Sequence, residues 1–84
     1  MKYRKKPVTI DAVQFNGVNH DEIADFCAPH TIENDVDFRL FIPTLEGKMT
    51  VRIGDWVIRG VKGEVYSCKP DIFALTYESV PDYA

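Results

Sequence analysis

Rarer side chains are scarce in this sequence: two cysteines, two histidines and one tryptophan in 84 residues. A closed zinc site needs three or four ligands at recognisable paired spacings. His20, Cys27 and His30 lie near one another in the sequence, but no fourth ligand completes the set, so no metal is expected. Without a signal peptide, two cysteines are weak grounds for a disulfide. Cys27 and Cys68 sit in apolar patterns and read as buried thiols. The longest apolar runs fall far short of the ~18 residues that a membrane span needs. The N-terminus is basic, but no apolar h-region follows it. Neither membrane insertion nor secretion is expected, and the chain reads as cytoplasmic. No Gly-x-Ser-x-Gly elbow, Walker loop or dinucleotide fingerprint is present. No pair of carboxylates is forced into one cleft. The sharpest enzymatic idea is Cys68, which precedes Lys69 and a helix start where a thiolate is stabilised. A core thiol under the last helix is the plainer account. The sequence therefore reads as non-enzymatic and free of cofactors.

What is present describes one small domain over residues 1–84. A chain of this size buries only about 60–65% of its unfolded surface, so its core is thin. Its 45% hydrophobic and 27% charged residues are ordinary for a globular chain. Small domains often gain stability by associating, and a homo-oligomer is expected. The net charge of -3 argues against a nucleic-acid track. Its distribution is uneven. Lys2, Arg4, Lys5 and Lys6 make a basic lead-in over residues 1–6, and acid gathers at Asp21, Glu22, Asp25, Glu33, Asp35 and Asp37. Lys48, Arg52, Arg59, Lys62 and Lys69 make the second half locally basic.

Residues 51–73 are the centre of the pattern. They hold the tryptophan, three of the five glycines and the cleanest apolar–polar alternation. Ahead of them, Val8, Ile10 and Ala12 alternate with Thr9, Asp11 and Val13 in a first strand that ends at a turn near Gly17. Asn19 followed by Glu22 has the spacing of a capping box. Ile23, Phe26 and Cys27 line one face of the short helix behind it, and Pro29 stops it. Residues 30–37 read as a polar loop. Strands are expected over 37–43, with Phe38, Leu40 and Ile42 on one face, and over 48–53, with Met49, Val51 and Ile53 on one face. The turn at 45–48 joins them.

Gly54 and Asp55 mark a turn or a bulge. Trp56 and Ile58 then alternate with Val57 and Arg59, a hairpin follows at 60–63, and residues 64–68 return. Pro70 suits the first turn of a last helix. Ile72, Phe73 and either Leu75 or Thr76 are expected to pack that helix on the sheet, with a final short strand at 77–80. The fold class is α+β: a small curled antiparallel sheet, or an open barrel, of about five strands with two short helices.

The candidate ligand site lies on this central sheet. If the strands at 48–53 and 56–59 form a hairpin, Arg52 and Arg59 share its solvent face. Lys62 sits at the next turn and Lys69 at the helix start, where an anion is welcome. Trp56 and Tyr66, with Tyr77, offer aromatic faces for a base. The competing account is a solvated face whose cations discourage edge-to-edge association.

Several blocks carry a resemblance. KYRKKPV at 2–8 with DAVQF at 11–15, IPTLEG at 42–47, GDWVIRGVKGE at 54–64, and CKPDIF at 68–73 with TYE at 76–78 resemble a family of small phage and prophage proteins. The blocks cover most of residues 2–78; the helix and acidic loop at 17–37 are the variable part. The resemblance implies a phage accessory protein without an enzyme signature, acting in a bacterial host. Small phage proteins outside the virion often counter host defence. Two functions are expected on that basis. One is sequestration of an anionic nucleotide-type signal by Arg52, Trp56, Arg59, Lys62, Tyr66 and Lys69. The other is inhibition or adaptation of a host protein through the acidic loop at 33–37 and the variable helix. Val80 to Ala84 also matches the end of the haemagglutinin epitope tag, although Glu78 and Ser79 do not continue the match, so residues 81–84 carry no functional argument.

Overall fold

The computed structural model of the protein describes residues 1–4, 6–35, 39–44 and 47–80. Its elements run β1 (Asp11–Gln14), α1 (His20–Cys27), β2 (Glu33–Asn34), β3 (Leu40–Thr44), β4 (Gly47–Val51), β5 (Trp56–Arg59), β6 (Val65–Cys68) and α2 (Pro70–Thr76). The α+β class holds, but the strands divide into two three-stranded antiparallel sheets, ordered β1-β5-β6 and β2-β3-β4. This corrects the expected single curled sheet or barrel of about five strands.

The division happens at one corner. After Val51 the chain turns at residues 52–55 instead of continuing, and β5 leaves for the other sheet. The Asp55 amide donates to the Arg52 carbonyl (2.9 Å), and the Asp55 carboxylate accepts from the Arg52 amide (3.0 Å). Gly54 supplies the φ of +96° that a side chain would resist. Phe15, just past β1, pins the corner from outside: its amide donates to Asp55 O and its carbonyl accepts from Gly54 N. Ile53, expected on the apolar face of a strand, is instead exposed in this turn.

The main core lies between the sheets and α1. Phe15, Ile23, Cys27, Leu40, Ile42, Val51 and Val57 are buried there, with Val13, Phe26, Ile32, Met49 and Val65 packed against them. Leu40 and Ile42 alternate inward along β3 as the period of two requires. Phe38 and Asp37, read as part of that strand, lie outside the described residues, as do Leu45 and Glu46 of the hairpin turn, Lys5 of the basic lead-in and the tail at 81–84. The loop expected over residues 30–37 contains β2, which pairs with β3 through Glu33 and Asn34. Asp35 then ties to Arg39, accepting from its backbone amide (2.9 Å) and its Nε (2.6 Å).

The start of α1 departs from a capping box. The Asn19 amide proton goes to Asn16 Oδ1, not to Glu22, and Asn16 N donates in return to Asn19 Oδ1. Glu22 accepts from the Asn19 side-chain amide at 2.7 Å. Asn16 has taken the position expected of Glu22, because a side-chain oxygen three residues away closes this turn as readily as a helical carboxylate. At the other end, His30 Nε2 lies 3.0 Å from Gly63 O, and Arg59 Nη2 donates to Ala28 O at 3.3 Å. The end of α1 is therefore fastened to the β5–β6 hairpin.

Sheet β1-β5-β6 is covered on both faces. Val57 turns into the main core, while Ile58, also fully buried, turns the opposite way. The strand register places Ala12, Tyr66 and Trp56 on the Ile58 side. There α2 covers the sheet. Phe73 stacks on Trp56 with ring centroids 4.1 Å apart and planes 8° from parallel, and Tyr77 lies 5.0 Å from Phe73. Phe73 and Tyr77, one helical turn apart, are thus the packing face of α2. Ile72 and Leu75, expected to pack on the sheet, are exposed, Leu75 at 86%. Residues 77–80, expected as a last strand, are not paired. No helix among the described residues is long and apolar enough to cross a membrane.

Candidate functional site

The six residues proposed as an anion site are not gathered. Arg52 lies in the corner, whose geometry keeps β4 and β5 in different sheets, so the shared solvent face expected for Arg52 and Arg59 does not form. Arg59 alternates with Ile58 and therefore stands on the Val57 side. Its guanidinium lies 4.9 Å from the centre of the Phe26 ring and faces the end of α1, where a cation complements the exposed carbonyls. Trp56 and Tyr66 do share a face, but it is the opposite one. Lys62 is at the hairpin tip, its amide donating to Glu64 Oε2 (3.1 Å). Lys69 precedes α2 as its N-cap residue. The cations are separated by a sheet, a corner and a hairpin. Trp56 is half-buried against Phe73, so one of its faces is already occupied by the protein itself.

A concavity lies elsewhere. A groove of about 1080 Å³ runs over the Ile58 side of the first sheet, between residues 7–12 and α2 with the segment after it. Trp56, Phe73 and Tyr77 form its aromatic wall, and Val8 and Val80 supply exposed aliphatic surface. Glu78 adds a carboxylate, and Thr9, Thr76 and Ser79 add hydroxyls; the Asp11 side chain, opposite Arg59 in the ladder, belongs to the other face of the sheet. A smaller hollow of about 250 Å³ adjoins it, lined by Lys6, Pro7, Val8, Thr76 and Tyr77. Of the six proposed ligand residues, only Trp56 lines the groove. The sequence signal for the rest of it was weak, because the wall depends on which stripe of a seven-residue helix faces the sheet.

The titration chemistry follows from these surroundings. The Tyr66 hydroxyl donates to Tyr77, and this bond, followed by burial and nearby acidic groups, pushes its pKa up to about 12. A raised pKa means the folded chain holds the Tyr66 proton more tightly than the unfolded chain. The contribution to stability is complete below the ordinary tyrosine value near 10 and is lost as pH rises from there through about 12. Phenolate absorbance followed against pH should show one tyrosine titrating late. In Tyr77→Phe, which removes the acceptor, that tyrosine should return toward the ordinary value. Burial pushes the Cys27 thiol up, offset in part by the Arg59 charge, so this thiol is a poor nucleophile. Among the described residues, no three histidine, cysteine or acidic side chains are placed to hold a metal ion.

No protein family, curated protein or solved structure matches this chain. What the site can do rests on its own geometry.

Proposed function

We propose that this chain is a non-enzymatic accessory protein of the phage type that its sequence blocks resemble, acting in the cytoplasm of a bacterial host by binding a host protein. The groove over the first sheet is the observation that supports this most. It joins an aromatic wall to exposed Val8 and Val80, with a carboxylate and hydroxyls at its margins. Ile72 and Leu75 add exposed apolar surface on the helix beside it. Aromatic and aliphatic surface bordered by polar groups is the make-up of a protein interface. In this proposal the binding surface is the groove, in place of the acidic loop at 33–37 and the variable helix.

Sequestration of an anionic nucleotide-type signal is the other function the sequence suggests, and it has less behind it. Its cations do not converge, and the groove presents Glu78, which repels phosphate. Two measurements separate the functions. Affinity capture from bacterial extract should retain one host protein, and the variant Val8→Glu/Val80→Glu should lose it. Both side chains are exposed, so the fold should change by no more than about 0.5 kcal/mol per site. Calorimetry against a panel of signalling nucleotides should give no binding heat. Saturable binding of a nucleotide, with capture absent, would overturn the proposal.

A further inference from the structure

The first sheet has two edges, and they are finished differently. Along β6 the outward amide of Ser67 donates to the Met49 sulfur at 3.0 Å, so β4 of the second sheet closes that side. Along β1 the direction of the peptide groups follows from one bond. Phe15 N donates to Asp55 O, so the odd-numbered residues of β1 turn their peptide groups toward β5 and the even-numbered ones turn theirs outward. The Gln14 carbonyl obeys this and is taken by the Asn19 side-chain amide at 2.9 Å. Nothing among the described residues closes the rest of the edge. Val8, Thr9 and Ile10 make no backbone–backbone hydrogen bond, and Ala12 faces outward by the same alternation. In a strand continued back to Val8, Pro7 has the parity of Asp11, so the N–H it lacks would have pointed inward.

An open edge is a template for another strand, and its flanks select which one. Lys2, Arg4 and Lys6 precede this edge. Asp21, Glu22 and Asp25 follow it on α1, and all six side chains are exposed. One end of the edge is therefore basic and the other acidic. A second copy laid antiparallel sets basic on acidic at both ends, whereas a parallel copy sets like charge on like.

We propose that the open edge of β1 pairs with the same edge of a second copy, antiparallel about a two-fold axis at Ile10. Val8 and Ala12 of each copy then face Ala12 and Val8 of the other, and Ile10 faces its counterpart. The outward peptide groups of all three residues are satisfied, and the two three-stranded sheets join into one. Lys2, Arg4 and Lys6 of each copy run beside residues 14–18 of the other, toward the acidic start of α1. The axis is perpendicular to the sheet, so both grooves open on the same side of the dimer. The inference goes beyond the protein-binding function and fails separately from it.

Sedimentation of the full chain over a concentration series should show a monomer–dimer equilibrium that weakens as salt is added. Lys2→Glu/Arg4→Glu and Asp21→Lys/Asp25→Lys should each weaken the dimer about tenfold or more. Mixed in equal amounts, the two variants should associate as tightly as the parent, because each reversed end meets its opposite. Lys2 and Arg4 precede the first strand, so their variant keeps the test valid if the substitutions in α1 disturb that helix. Amide hydrogen exchange read by NMR gives the register: Val8, Ile10 and Ala12 should gain protection as concentration rises, and Thr9 should not. A chain that stays monomeric at all concentrations overturns the proposal. So does a dimer indifferent to the Lys2→Glu/Arg4→Glu change, or one whose concentration-dependent protection falls outside residues 8–12. In each of these cases, capture of a host protein that Val8→Glu/Val80→Glu abolishes would leave the protein-binding function standing.

Discussion

Asp55→Ala should destabilise the chain by about 1–3 kcal/mol, the range for leaving a buried hydrogen-bonding group without its partner. Asp55 is only 6% exposed, and its carboxylate accepts the Arg52 amide proton at the point where the chain passes from one sheet to the other. Without that acceptor the amide is left half-buried and unpaired. The loss also loosens the anchor that Phe15 makes through Asp55 O and Gly54 N. Asp55→Asn, which keeps an acceptor oxygen, should recover much of the difference. Urea unfolding measures this: the midpoint should fall in the alanine variant with the slope unchanged, since the surface exposed on unfolding is the same. An unchanged midpoint would mean that the corner is held by something other than this carboxylate.

Ile23→Ala should cost more, about 2–5 kcal/mol. Ile23 is fully buried in the core where α1 meets both sheets, among Phe15, Cys27, Leu40, Ile42, Val51 and Val57. A domain total of about 5–15 kcal/mol, with small chains toward the lower end, leaves little margin for that cavity. The variant should be largely unfolded or melt far below the parent. Ile23→Val should lose only about 0.5–1.5 kcal/mol. Calorimetric melting of the pair distinguishes a cavity effect from damage to the helix, because valine is the poorer helix former of the two replacements. If alanine proves the milder substitution, helix propensity and not packing governs this position.

The outcome at these positions reflects how much of the fold was written locally. Leu40 and Ile42, or Trp56 and Ile58, announce strands because a period of two is readable within four residues. Ile23 and Cys27 mark a helical face just as directly, and Pro70 marks a helix start. β2 was not readable, since Glu33 and Asn34 are polar and become a strand only by pairing with Leu40 and Phe41. The faces of α2 were misread for a related reason. A seven-residue helix with Ile72, Phe73 and Leu75 has two apolar stripes, and the choice between them is made by Trp56, which Phe73 can stack on.

The arrangement of the candidate site residues was hard to read for the same reason. Alternation correctly put Arg59 and Trp56 on opposite faces of β5. Whether Arg52 joined either of them depended on β4 and β5 being neighbours, a long-range fact. Gly54 and Asp55 signalled a turn at the right place, but not that it would send the two strands into different sheets. The groove was still less visible, because its floor and walls come from segments at both ends of the chain.

The central claim is that the corner at residues 52–55 separates the cations and leaves Trp56 to α2 and the groove. Nuclear Overhauser contacts in the labelled protein test it most directly. The account predicts contacts from the Arg59 side chain to the Phe26 ring and from the Trp56 indole to Phe73. Contacts from Arg59 to Arg52 or to the Trp56 indole, with none between Trp56 and Phe73, would contradict it and restore a cationic, aromatic sheet face.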